Sequence, residues 1–223
     1  MNFNKHFNEY DNYSFVQKKV AIKLLEYIEK TKIAEEKELS IFEIGCGTGI
    51  FTREYKEKFS NIKNLILNDK FDSRQFLSNI NYKEFLLGDV TEIEIPQSDL
   101  VLSSSVFQWI EDIDLLFKNI ALKSNKLYFS IYTFGNLIEI KNHFGISLNY
   151  KKFEEIEKSA KQFFKTVKAY KETIKLNFES PIDVLKHLKY TGVTGIQKPS
   201  VKNIRTFKDK ELTYEVAYFI CEN

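Results

Sequence analysis

Between Glu43 and Gly49 the chain reads Glu-Ile-Gly-Cys-Gly-Thr-Gly, directly after the apolar run Leu39-Ser40-Ile41-Phe42. Glycine lets a backbone turn tightly, and it exposes N–H groups that a side chain would screen. A strand that ends in Gly45, Gly47 and Gly49 is therefore suited to hold a nucleotide-like ligand at the carboxyl edge of a parallel sheet. A nicotinamide-dinucleotide fingerprint would need glycines at 45, 47 and 50, but position 50 is Ile. The phosphate loop ending in Gly-Lys-Ser/Thr is also absent, and a turn without a ligand stays as the alternative. Asp69 closes a second apolar run, where a carboxylate can accept both hydroxyls of a ribose or, more simply, cap a turn. Asp89 follows a third run and can accept from an exocyclic adenine amine, with Val90 packed on the ring and Phe71 either against adenine or in the core. Gln108 and Trp109 follow a fourth run at the same edge, and Trp109 either faces the cleft or fills the core. Cys46 reads as a packed residue, since no His or Asp is placed by sequence to activate it.

Positioning these groups needs alternating strands and helices. Val16, Val20, Leu24 and Tyr27/Ile28 recur every three or four residues and predict an amphipathic helix within 14–32. Strands are expected at 39–44, 64–68, 82–87, 99–103, 126–132 and 212–221, and helices at about 51–59, after Asp72 and at 111–121. Ser180-Pro181-Ile182-Asp183 resembles a capped helix start, with Gly192 placed to end that helix. The stretch 136–180 is polar and aromatic, looks helical, and reads as a lid inserted after strand five of a single 1–223 domain.

At 223 residues, with 43% hydrophobic residues, 20 Phe, 12 Tyr and only 3 Pro, the chain can bury a full core and is not a disordered or disulfide-stapled protein. The net charge of +2 balances 33 basic against 31 acidic residues, which argues against nucleic acid as a partner. Two cysteines and three histidines without paired spacing give no metal site. No apolar run reaches membrane-spanning length and the first residues lack the apolar core of a secretory signal, so a cytoplasmic chain is expected.

The motif IFEIGCGTG with later acids at Asp69 and Asp89 resembles the class I S-adenosylmethionine-dependent methyltransferases. The run Ser103-Ser104-Ser105-Val106-Phe107-Gln108-Trp109 is similar to the malonyl-[acyl-carrier protein] O-methyltransferase family of biotin synthesis. So are the spacing of Phe3, Tyr10 and Gln17, the stretch FSIYTFGNLIEI and the segment VLKHLKYTGV. The resemblance implies a Rossmann-like α/β fold: a mostly parallel seven-stranded sheet with helices on both faces. It implies S-adenosyl-L-methionine as donor, S-adenosyl-L-homocysteine (SAH) as product, and a methyl ester formed on the free carboxylate of a carrier-bound malonyl group. Cofactor contacts are implied for Gln17, Glu43, Gly45, Cys46, Gly47, Gly49, Asp69, Lys70, Phe71, Asp89, Val90, Ser103 and Ser104. Tyr10, Gln108 and Trp109 would position the acceptor with no general base. The acyl carrier protein would be an acidic partner of a monomer. Outside the resemblance, Lys161, Lys165, Lys168 and Lys171 are spaced by four, three and three, which on a helix gives a basic ridge that either docks this carrier or is a solvated face. Two other classes stay open: another carboxyl O-methyltransferase acting on a free acid such as trans-aconitate, and a non-catalytic module on the same fold.

Overall fold

Side chains alternate across a strand, so a strand covered on both faces must be apolar at successive positions. In the computed structural model, which describes residues 13–191 and 201–223, that is how the central strands read. Strand β1 (Leu39–Ile44) sends Ile41 into one buried cluster and Phe42 into another. The same alternation recurs in β5 (Lys126–Tyr132), with Tyr128 and Tyr132 on the first side and Leu127, Phe129 and Ile131 on the second.

With β2 (Ile62–Asp69), β3 (Glu84–Leu87), β4 (Leu100–Ser104), β6 (Thr166–Asn177) and β7 (Glu211–Glu222), these form one seven-stranded sheet in the order β3-β2-β1-β4-β5-β7-β6. The first five strands are parallel, and β7 inserts antiparallel between β5 and β6. Strand order reverses at β1 and β4, and doubly wound sheets open a crevice at the carboxyl ends of such strands. Helices α1 (Phe15–Ile28) and α2 (Ile50–Lys58) lie on the first cluster's face, α1 burying Val16, Gln17, Val20, Ala21, Leu24 and Leu25. Helix α3 (Ile113–Ala121) covers the second face, its first turn capped by Asp112, whose carboxylate accepts from Leu115 N at 2.9 Å. The short helix expected after Asp72 is a single 3-10 turn, Arg74–Phe76.

The segment 136–180 departs from its expected helical lid. It holds α4 (Ile138–Phe144) and α5 (Phe153–Phe163), then the 12-residue strand β6, the outer edge of the sheet. The Lys-rich sequence of β6 hides its strand character because only Ile174 on it is buried, while Val167, Ala169 and Leu176 are half-buried. An edge strand with charged side chains resists pairing with other chains, which explains that composition. The four-lysine ridge falls with the helix. Lys161 lies on α5, Lys165 lies between the elements, and Lys168 and Lys171 stand on opposite faces of β6. Lys161 pairs with Glu157 at 2.7 Å; Lys171 pairs with Glu154 at 2.6 Å and sits 4.1 Å from the Phe153 ring centre. Helix α6 (Pro181–Thr191) starts as expected, with Ser180 Oγ donating to Asp183 at 2.7 Å and accepting from Asp183 N. Gly192, set to end it, lies outside the described residues. The short helix α7 (Val201–Thr206) leads into β7.

Candidate functional site

A cleft of about 470 Å³ opens along the carboxyl ends of β1 to β5, a size typical of small-molecule sites. Its floor is the turn after β1, where Gly45, Gly47 and Gly49 have φ of +70°, +53° and +83°. The three glycines do different things. A Cβ on Gly45 would lie 2.4 Å from Val106 Cγ2, so this position is bare to let the β4 loop pack over it. A Cβ on Gly47 would meet nothing within 4 Å, because it would project into open cleft. Gly49 does not line the cleft: it caps α2 and would press Ile80 at 2.7 Å, so its expected ligand contact is replaced by packing.

Carboxylates brace the turn. Asp69 is 7% exposed; its Oδ2 accepts from Gly47 N at 2.8 Å and its Oδ1 from Phe71 N at 2.9 Å. Burial raises its pKa, against the lowering effect of those backbone donors. Each oxygen keeps lone-pair capacity for a ligand hydroxyl. Glu43 is 1% exposed and turns its Oε2 toward α2, accepting from Thr52 Oγ1 at 2.7 Å and from Tyr55 OH at 2.6 Å. Burial pushes its pKa up to about 7, partly offset by the Tyr55 and Thr52 hydroxyls. Its carboxylate therefore ties the glycine turn to the helix behind it. At the β3 end, Asp89 accepts from Thr91 N and Oγ1 through Oδ1 and from Lys70 Nζ through Oδ2 at 2.8 Å. Despite partial burial, these donors hold its pKa below the usual value.

Of the residues expected in the site, Gln17, Glu43, Gly45, Cys46, Gly47, Asp69, Lys70, Phe71, Asp89, Val90, Ser104, Gln108 and Trp109 line this cleft. Ser103 does not: it is wholly buried and donates from Oγ to Ile44 O at 3.1 Å, stitching β4 to β1. Trp109 is half-buried beside the cleft, and Phe107 takes the core position of that turn. Cys46 is buried, and burial drives its thiol far above the ordinary range, which suits packing. Tyr10 lies outside the described residues. No residue of 136–180 lines the cleft.

Sequence reasoning missed Asn68, Ser105 and Tyr132. Asn68 precedes Asp69 on β2 and donates from Nδ2 to Leu86 O and Gly88 O, fixing the end of β3. Its polar side chain at a strand end was the available signal. Ser105 sits at φ +61°, and nothing in a Ser-Ser-Ser run singles it out. Tyr132 ends β5 on the cleft side, and its position as the last residue of a strand was the only clue.

Among the described residues no group of three or more His, Cys, Asp or Glu is arranged to hold a metal, and no helix is long and apolar enough to cross a membrane.

Residues 42–123 match a family model described as a methyltransferase domain. A malonyl-[acyl-carrier protein] O-methyltransferase of Calditerrivibrio nitroreducens is 36% identical over 236 residues, covering 98% of this chain and 94% of the relative. Among solved structures, the YcgJ protein of Bacillus subtilis superposes with a TM-score of 0.64 at 12% identity, over 90% of this chain and 98% of that one. The plantazolicin methyltransferase BpumL, solved in complex with SAH, does so with a TM-score of 0.57 at 14% identity, over 96% and 88%. At such identities these two establish the fold.

Proposed function

The chain belongs to the malonyl-[acyl-carrier protein] O-methyltransferase family, and from this premise we propose that its cleft joins a cofactor half over β1 to β3 with an acceptor half over β4 and β5. The enzyme transfers a methyl group from S-adenosylmethionine to the free carboxylate of malonyl-acyl-carrier-protein, giving the methyl ester that starts pimeloyl and biotin synthesis. When bound, the cofactor supplies an electrophilic methyl on a sulfonium.

The residues present fit that cofactor. Gly47 leaves open space where any side chain would stand, Asp69 offers free lone pairs to ribose hydroxyls, and Asp89 with Val90 and Phe71 offers an acceptor and apolar surface to adenine. Lys70 holds Asp89 in place and Gln17 closes the cleft from α1. Gln108 and Trp109 position the acceptor, and Tyr10 is proposed to join them. A malonyl carboxyl is ionised at neutral pH, so its oxygen is already a nucleophile and no general base is needed. Catalysis is then a matter of orientation and of excluding water from two oppositely charged reactants.

We place the enzyme in the cytoplasm as a monomeric single domain. Free Cys46 and Cys221 suit a reducing compartment. The observation that carries the whole reading is Gly47 bare beneath an Asp69-braced turn at the strand-order reversal. A methyl-transfer assay offering malonyl-carrier-protein and free trans-aconitate side by side tests it. Turnover of the carrier thioester with little of the free acid is expected, and the reverse preference would sink the assignment.

A further inference from the structure

The acceptor half of the cleft contains two buried hydroxyls for which the fold provides no partner but each other. Tyr132 is 2% exposed, and its OH and Ser105 Oγ face one another; beyond that mutual contact neither hydroxyl has a hydrogen-bond partner. Buried polar groups whose hydrogen-bonding capacity the fold leaves largely unused are uncommon and call for an explanation. The backbone around them is fixed. Ser105 N donates to Ser130 O at 3.1 Å, Gln108 Nε2 donates to Ser105 O at 2.5 Å, and Ser105 itself is held at φ +61°, a strained conformation for a residue with a side chain. Tyr132 ends β5 and Ser105 follows β4, the strand next to it, so the sheet itself brings the two together. On the other half of the cleft the ionised groups already have partners: Asp89 with Lys70, and Asp69 with two backbone donors.

Resting on the methyl-transfer reading above, we infer that Tyr132 OH and Ser105 Oγ–H are the donors that receive the acceptor's carboxylate. A carboxylate has about four lone-pair sites and no donors, so two neutral hydroxyls can orient it and leave a lone pair free for attack. Neutral donors suit this reaction better than a cation would. They hold the oxyanion without cancelling the charge that makes it nucleophilic. Burial drives the Tyr132 phenol far above its ordinary pKa, so it remains a donor throughout the working range. A carboxylate at this point accepts from both hydroxyls at once, where by themselves only one of the two can donate to the other.

The test compares Tyr132→Phe, Ser105→Gly and the double variant with the wild type. Glycine at 105 removes the hydroxyl while relieving the positive φ, so loss of fold is not the expected outcome, and thermal melting checks it. The probes are malonyl-pantetheine and acetyl-pantetheine, which differ by the carboxylate. Each variant should lose about tenfold or more in affinity for malonyl-pantetheine, the usual scale for a hydrogen bond to a charged group. Affinity for acetyl-pantetheine and for S-adenosylmethionine should stay at wild-type values. A folded double variant with an unchanged malonyl-to-acetyl affinity ratio overturns the assignment, as does a wild type that binds both probes alike. Failure of the wild type to methylate malonyl-carrier-protein would instead overturn the functional reading, so the two failures are separable.

Discussion

Two single residues carry opposite kinds of information. Gly47 is bare for a ligand and Gly45 is bare for the fold. Gly47→Val should therefore still fold, with some strain at φ +53°, and lose measurable S-adenosylmethionine binding in calorimetry. Normal binding by the folded variant would make the turn merely structural. Glu43 is a stability residue as well as a brace. Its pKa rises from 4.5 unfolded to about 7 folded because burial disfavours the anion. A group of that kind contributes fully below its unfolded value and loses its contribution as pH climbs through its folded one. Between about pH 4.5 and 7 the Glu43 contribution should thus fall, by on the order of 3 kcal/mol in total. Buried His187, pushed down to about 4, acts in the other direction, its contribution being lost as pH falls from 6.5 toward 4. Glu43→Gln isolates the first effect: chemical denaturation of both proteins at pH 5 and pH 8 should show the wild type losing more on going to pH 8. Parallel pH dependences would mean that Glu43 titrates normally.

At the scale of elements, the edge strand β6 decides where the lysines stand. Thr166 is level with Lys126 through Glu222, so Lys165 lies at the amino end of β5 and Lys168 is level with Tyr128. The cleft begins at Tyr132, which at about 3.3 Å per residue is about 20 Å along the strand from the level of Lys165 and about 13 Å from that of Lys168. Reversing Lys161, Lys165 and Lys168 to Glu should consequently leave the Michaelis constant for malonyl-carrier-protein within about twofold of wild type at low salt, where electrostatic steering is strongest. A rise of tenfold would show that the carrier docks at this remote end after all.

Across the molecule, the sheet separates two buried clusters, and β7 is the strand that locks them to the edge. Phe219 is fully buried, stacks on Phe129 at 4.8 Å between ring centres and on Phe153 at 5.5 Å, and thereby joins β7, β5 and α5. Phe219→Ala should cost about 3–5 kcal/mol and lower Tm by several degrees. Calorimetry should show one transition, since both clusters share the sheet; two separate transitions would refute that coupling.

The first half of the fold was legible because its signals are local: an apolar run, then a turn that only glycine can make, then an acid at the next strand's end. Strands β1, β4 and β5 fall within a residue of where periodicity puts them, and Asp69 and Gln17 reach the cleft as the motifs imply. β6 was illegible because an edge strand needs few apolar residues, and its lysines spaced by three and four imitate a helix. Tertiary structure alone decided that Ser103 stitches strands, that Gly49 packs against Ile80, and that Tyr132 and Ser105 meet with no third group to bond their hydroxyls. Each of these depends on a neighbour distant in sequence. Composition and spacing fix what a residue can do, and only the register of the sheet fixes which group stands beside it.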